Sequence, residues 1–339
     1  MSQRILVTGG GGFLGGYIVR ALLEREDTVV GSMTRSAQPE LEALGVQTHK
    51  GDISNRDDVQ RVLKDYDAII HTAAMVNPWG DKDAFYRANV TGTEILLEEA
   101  KKAGITRFVF TSSPSVVFDG TPLVNAMPDT PYPDRFPSPY GETKALSEKL
   151  VKEAHDADGL RTVSLRPQLM WGPGDPHLLP LIIKRARAGK LRQIGDAKTL
   201  IDATFVSNAA QAHLDALDAL DKKPDDPTNP GGKIYFISND EPVHIWDFIP
   251  QMLAMANEPA LKSGSIPKPV AALIGRAFDT LWSMLGLASE PPVSEFVVLK
   301  MCTDQWYSME PAKRDLGYTP AVSIKDGQKL WADWYNSQP

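Results

Sequence analysis

The string RILVTGGGGFLGG, residues 4–16, constrains the fold more tightly than any other stretch of the chain. Arg4–Thr8 reads as a short buried strand, six glycines crowd the next eight positions, and a helical pattern then runs to Arg25. Glycine permits a tight turn and lets another group approach the backbone closely. The first turn of a helix leaves its amides unpaired and carries partial positive charge, so an anion is stabilised there. A strand, a glycine turn and a helix in that order form the pyrophosphate-binding entry of a dinucleotide fold. Two spacings fit equally well, Gly10-x-Gly12-x-x-Gly15 and Gly9-x-x-Gly12-x-x-Gly15.

The pattern then repeats. Apolar runs suited to buried parallel strands lie at Thr28–Met33, Val46–Lys50, Ala68–His71, Arg107–Thr111 and Thr162–Leu165. Helical stretches separate them, one capped by Ser54 and a long one spanning Asp81–Ala103. This alternation predicts an α/β fold, a doubly wound parallel sheet of Rossmann-like type with a smaller C-terminal substrate-binding lobe. Residues 1–172 are expected to form the dinucleotide domain, its core also receiving about 201–240, and 173–339 mainly the lobe with its C-terminal helices. In such sheets the ligand lies beyond the carboxyl ends of the strands, where their order reverses.

Composition narrows the partners. A net charge of −7 argues against nucleic acid, and the single Cys302, set in a stretch that reads as strand, supplies no internal disulfide. The chain passes straight from MSQR into a strand, so a cytoplasmic location is expected. Residues 267–287 recur apolar at helical spacing but contain Arg276 and Asp279. They predict an amphipathic helix, packed on its own domain or serving as a lid or peripheral membrane contact, rather than a span. The run 184–192 holds five basic residues and no acid, which suits an exposed helix face. A homodimer is compatible with all of this.

The end of the second strand bears on cofactor choice. An acid there binds the adenosine ribose, whereas arginine accommodates a 2′-phosphate. Residues 31–36 contain no acid, Thr34 takes the expected acidic place and Arg35 follows, so NADP(H) is preferred, with NAD(H) possible.

Tyr140 and Lys144 stand four apart in PYGETK and so share one helix face. An ammonium beside a phenol favours phenolate and draws the tyrosine towards working pH, as a general acid/base requires. Upstream, Ser112, Ser113 and Ser115 close the fifth strand, and alternation puts Ser113 and Ser115 on one face. The six histidines (49, 71, 155, 177, 213 and 244) show no metal-ligand spacing and read as surface or core-edge residues, so no metal is expected.

With these residues in place the chain resembles the extended short-chain dehydrogenase/reductase family. TGGGGFLG, residues 8–15, matches its Thr-Gly-x-x-Gly-x-x-Gly and selects Gly9, Gly12 and Gly15, with Phe13 and Leu14 between the last two. Asp52-Ile53 matches the pair against the adenine, and His71–Ala74 the turn beside the cofactor, giving Thr72, Ala73 and Ala74. Asn89 matches a helix asparagine of the family, a site residue or equally a packing one. LRPQLMWGPG, residues 165–174, matches the nicotinamide-side loop and brings in Pro167. The resemblance implies that Ser113, Tyr140 and Lys144 are catalytic, with Lys144 and Tyr140 also touching the cofactor.

Within that family the strings TSSPSVVF, WGPGDPHLLP and IDATFVSNAAQAH resemble the 3β-hydroxysteroid dehydrogenase branch. The branch includes sterol 4-carboxylate 3-dehydrogenases and 2-alkyl-3-oxoalkanoate reductases, and Trp79-Gly80 looks more like the latter. This implies oxidoreduction at C3 of a small hydrophobic, lipid- or sterol-like substrate. A nucleotide-sugar epimerase and a non-catalytic NADP-sensing protein are the alternatives. Trp79, Phe85, Val117, Phe118, Tyr132, Met170 and Trp171 fall near the active-site edge, although burial in the core is expected for each alone.

Overall fold

Seven parallel strands form the main sheet of the computed structural model: β1 (Gln3–Thr8), β2 (Thr28–Thr34), β3 (Gln47–Lys50), β4 (Ala68–His71), β5 (Arg107–Thr111), β6 (Arg161–Pro167) and β7 (Ile234–Ile237). The structure describes residues 2–76, 79–287, 289 and 291–338. The strands lie in the order β7-β6-β5-β4-β1-β2-β3, so the direction of winding reverses between β1 and β4. Beyond their carboxyl ends is where such a sheet binds its ligand.

Alternation along each strand feeds two cores. Ile5 and Val7 of β1 face one layer with α1 (Phe13–Leu23), while Leu6 points to the other. That second layer holds α2 (Arg56–Leu63) and α3 (Gly92–Ala103), with Val59, Leu63, Ile95 and Leu96 buried. Residues of α4 (Pro139–Glu153) join the second layer, and those of α5 (Val206–Ala219) join α1.

Local chemistry explains the helix starts. Asn55, not Ser54, caps α2, its Oδ1 accepting from the amides of Asp57 and Asp58 at 3.0 and 3.3 Å. Ser54 instead donates its hydroxyl to Asp52 Oδ1 at 2.8 Å, one residue too early to reach the helix amides. Ser138 caps α4, with Pro139 in its first turn, which sets Tyr140 at the helix entry. The expected continuous helix over 81–103 is broken. A turn at Lys82–Phe85 passes into a π-helical segment, Tyr86–Thr91, before α3 begins.

The lobe has its own core around Trp171, Phe205, Phe248 and Trp331. Cys302 ends the helix Glu295–Met301 and is not in a strand. The lobe also contains α6 (Lys268–Met284), which buries only Ala271 and Gly275. A Cβ on Gly275 would stand 2.7 Å from the Glu295 amide nitrogen, so glycine is what lets the two segments meet. Opposite that contact, Leu273, Leu281 and Met284 are 69%, 46% and 81% exposed. Among the described residues no helix is long and apolar enough to cross a membrane.

Candidate active site

The glycine turn is set by contacts rather than by flexibility. Gly9 sits at φ +76°, and a Cβ there would meet Thr72 Oγ1 and the Ala73 nitrogen at 2.9 Å. A Cβ on Gly15 would fall 2.1 Å from the Gly9 carbonyl oxygen. The Gly12 amide donates to that same carbonyl at 2.9 Å. Gly12 caps α1 without any side-chain hydrogen bond. The Phe13 and Leu14 amides are therefore open to an anion, while the Leu14 side chain is buried in the core and Phe13 packs edge-on to Tyr17. A cradle a Cβ would fill, at an uncapped helix start, fits a dinucleotide pyrophosphate.

Along the same edge, Thr34 donates to the Ser36 carbonyl at 2.7 Å and Arg35 is exposed. Asp52 holds Ser54 through Oδ1, and Ile53 is buried against Gly92. Thr72 donates to the Thr8 carbonyl at 2.8 Å, which fixes the start of the loop Thr72–Ala74. Pro167 closes β6, paired with Ile237.

Ser113 caps a short 3-10 turn, Pro114–Val117, and its Oγ accepts from the Ser115 amide at 3.2 Å. Its hydroxyl proton is thus left to donate elsewhere. Ser112 Oγ is buried without a partner. The Tyr140 ring is half-buried, and desolvation raises its hydroxyl above the usual phenol range, opposed by the Ser113 hydroxyl. The Ser113 hydroxyl thus lies beside that of Tyr140.

The lysine behaves differently. Lys144 Nζ donates to the Thr111 carbonyl at 2.5 Å and lies 3.9 Å from the centre of the Phe110 ring. Burial pulls this ammonium down to about 7, partly offset by Glu148. The phenol is therefore not acidified by its neighbour as expected, because Lys144 leans on the end of β5 and the hydroxyl is desolvated.

Asn89 acts as a clamp. Its Oδ1 accepts from the Met75 amide at 2.8 Å, and its Nδ2 donates to the Met75 carbonyl and to Thr143 Oγ1, both at 3.1 Å. Its own carbonyl accepts from Thr93 and Ser147. The π-helical turn supplies the extra residue that lets one asparagine reach both the loop and α4, as such turns often do at functional sites.

Sequence reasoning missed the support behind this. His71, expected at the surface or core edge, is fully buried, with Nδ1 2.7 Å from Thr8 Oγ1 and Nε2 3.0 Å from Thr93 Oγ1. Burial lowers it to about 3, so it is neutral. His213 is buried as well, bridging Thr111 and the Ala209 carbonyl. Phe85, Val117, Phe118 and Trp171 belong to the core; Tyr132 bonds Glu148, and Trp79 Nε1 donates to the Leu287 carbonyl at 3.1 Å.

A profile of the 3-beta hydroxysteroid dehydrogenase/isomerase family matches residues 6–265. The chain belongs to that family. A 2-alkyl-3-oxoalkanoate reductase of Stenotrophomonas maltophilia is 42% identical over 331 residues, covering 96% of this chain and 97% of the relative. A human decarboxylating sterol-4-alpha-carboxylate 3-dehydrogenase is 34% identical, covering 97% of this chain and 87% of the relative. Among solved structures, a UDP-glucuronic acid 4-epimerase of Bacillus cereus in complex with NAD superposes with a TM-score of 0.75. It covers 98% of each chain at 24% identity, which is a likeness of fold alone. This member of the 3-beta hydroxysteroid dehydrogenase/isomerase family is an NAD(P)-dependent oxidoreductase of the 2-alkyl-3-oxoalkanoate reductase-like type, acting on the CH–OH group.

Proposed function

We propose that this oxidoreductase reduces the 3-oxo group of a long-chain 2-alkyl-3-oxoalkanoate, with NADPH as donor. The observation that carries the reading is Ser113 facing the Tyr140 hydroxyl, with buried Lys144 one turn along the same helix. The 42% identity to an oxoalkanoate reductase supports the substrate.

The α1 amides and Gly9, Gly12 and Gly15 would hold the pyrophosphate, Thr34 and Arg35 the 2′-phosphate, and Asp52 with Ile53 the adenine. Thr72, Ala73, Ala74 and Pro167 would wall the nicotinamide end. The bound cofactor supplies the hydride. Ser113, its oxygen already occupied by the Ser115 amide, directs its proton to the substrate carbonyl oxygen as negative charge grows there. One such donor contributes about 3–4 kcal/mol to a transition state. Tyr140 then delivers the proton that completes the alcohol. Burial keeps that proton on Tyr140 before reaction, and with cofactor bound Lys144 would bond the nicotinamide ribose and ease the proton's departure by stabilising the tyrosinate left behind. Asn89 acts on the chemistry through the loop it clamps.

The outward apolar stripe of α6 suits peripheral contact with a lipid surface from which such a substrate is drawn. Pairing with a second copy is its competitor, and light scattering separates the two.

The 34% identity to a sterol dehydrogenase favours one second reading, oxidation of a 3β-hydroxyl on a sterol 4-carboxylate. A panel decides: a 2-alkyl-3-oxo acid with NADPH or NADH, and a 3β-hydroxysteroid 4-carboxylate with NADP+ or NAD+. Turnover confined to the steroid sinks the first reading.

A further inference from the structure

The helix that carries Tyr140 and Lys144 holds a second buried charge one turn further on. Glu148 is 0% exposed and Arg166, on the neighbouring β6, is 1% exposed. Arg166 donates through Nε to Glu148 Oε2 at 2.9 Å and through Nη2 to Oε1 at 2.6 Å. Tyr132 donates to Oε1 at 2.8 Å, and Arg166 Nη1 also donates to the Pro128 carbonyl at 3.1 Å. The guanidinium stands 5.0 Å from the centre of the Phe236 ring. Replacing a buried pair of this kind by apolar side chains is often neutral or stabilising, so stability alone is a weak account of it.

Its position offers a better account. Residues four apart on a helix are neighbours, and Glu148 is the carboxylate that raises Lys144 against the cost of burial. Among the described residues, the groups set against that ammonium from other elements carry no negative charge: strand β5 gives the Thr111 carbonyl and the Phe110 ring, and β4 gives neutral His71. Tyr140 lies one turn back on α4, and the cation of Arg166 on β6 stands behind Glu148.

We propose that Glu148 is a positioning residue that keeps Lys144 an ammonium, while Arg166 fixes the carboxylate in place and moderates its pull. The proposal rests on the reading above, in which Lys144 must be charged to support Tyr140 and bind the ribose. Arg166 precedes Pro167, so the same pair ties the catalytic helix to the wall of the cofactor site.

The test is the pH profile of kcat and KM for NADPH-driven reduction of a 2-alkyl-3-oxo acid. In that direction Tyr140 and Lys144 must hold their protons, so activity falls on the alkaline side. Removing a negative charge releases those protons earlier, and Glu148→Gln moves the alkaline limb down by about one pH unit, roughly ten-fold in rate on that limb. The acid plateau of kcat changes only a few-fold. Arg166→Met removes a positive charge and moves the limb up. A pair that merely braces the helix predicts losses of one sign in both variants, uniform in pH and following the melting temperature; that result overturns the proposal. Should either variant fail to fold, Glu148→Asp keeps the charge and withdraws it by one methylene, shifting the limb partway down. An unmoved limb in that folded variant overturns it equally. Absence of turnover by the native enzyme sinks the functional reading and this role together, whereas native turnover with an unmoved limb sinks this role alone.

Discussion

Asn89 grips the loop after β4 through both atoms of its amide, whereas α6 buries only Ala271 and Gly275 and otherwise holds its neighbours through Lys268, Arg276 and Asp279 along its flank. At the sheet edge, Thr8, His71, Thr93, Asn89, Thr143 and Ser147 form one connected set of buried hydrogen bonds. Each of those side chains is paired inside the fold, where an unpaired buried polar group would be costly. On the outer face of α6, Leu273, Leu281 and Met284 meet solvent and make no such demands. On the proposed reading, the chemistry is built on the densely hydrogen-bonded part of the molecule, and lipid contact on the part that tolerates change.

Four variants break or sharpen that contrast. Tyr140→Phe should lower turnover at least about 1,000-fold, near 4 kcal/mol of barrier, while fluorescence titration shows NADPH still bound. Retained turnover would remove the catalytic assignment. Asn89→Ala should leave the Met75 amide and carbonyl unpaired and cost about 2–4 kcal/mol of stability, read as a lower denaturation midpoint. Unchanged stability would mean the clamp is dispensable. Arg35→Ala should raise KM for NADPH about ten-fold and leave NADH unaffected, the loss of one charged hydrogen bond. Equal effects on both cofactors would argue against a 2′-phosphate contact. Smallest in effect, Leu281→Glu combined with Met284→Glu should change stability by no more than about 0.5 kcal/mol, as surface changes do. It should leave turnover of a short soluble substrate intact, yet abolish co-sedimentation with lipid vesicles. Vesicle binding that survives would exclude this face.

What was legible in the sequence is what is local in it. The glycine turn, the alternating strands and the pairing of Tyr140 with Lys144 on one helix each depend on residues within a few positions. Periodicity showed that residues 267–287 form a two-faced helix but not which face would look outward, because that depends on Gly275 meeting Glu295. Lys144 was assigned its helix face correctly, yet the direction of its ammonium follows from Thr111, 33 residues away. The burial of His71 needs Thr8 and Thr93 together, and the partner of Glu148 lies on another strand. Neither leaves a mark in spacing. Asn89 was visible as a helix residue, but its grasp of Met75 depends on a break in the helix that no apolar pattern announces.

That break has a genetic corollary. A six-residue π-helical segment inside a run of ordinary helix is the trace of one surplus position, accommodated without uncoiling its flanks. Excising one codon of this segment other than that of Asn89 would let regular winding resume and would remove the extra residue that lets Asn89 reach both the Met75 loop and α4. The reading frame survives such an event. The asparagine would then face a different neighbour, so a single in-frame deletion here would disarm the enzyme without touching a residue that meets substrate.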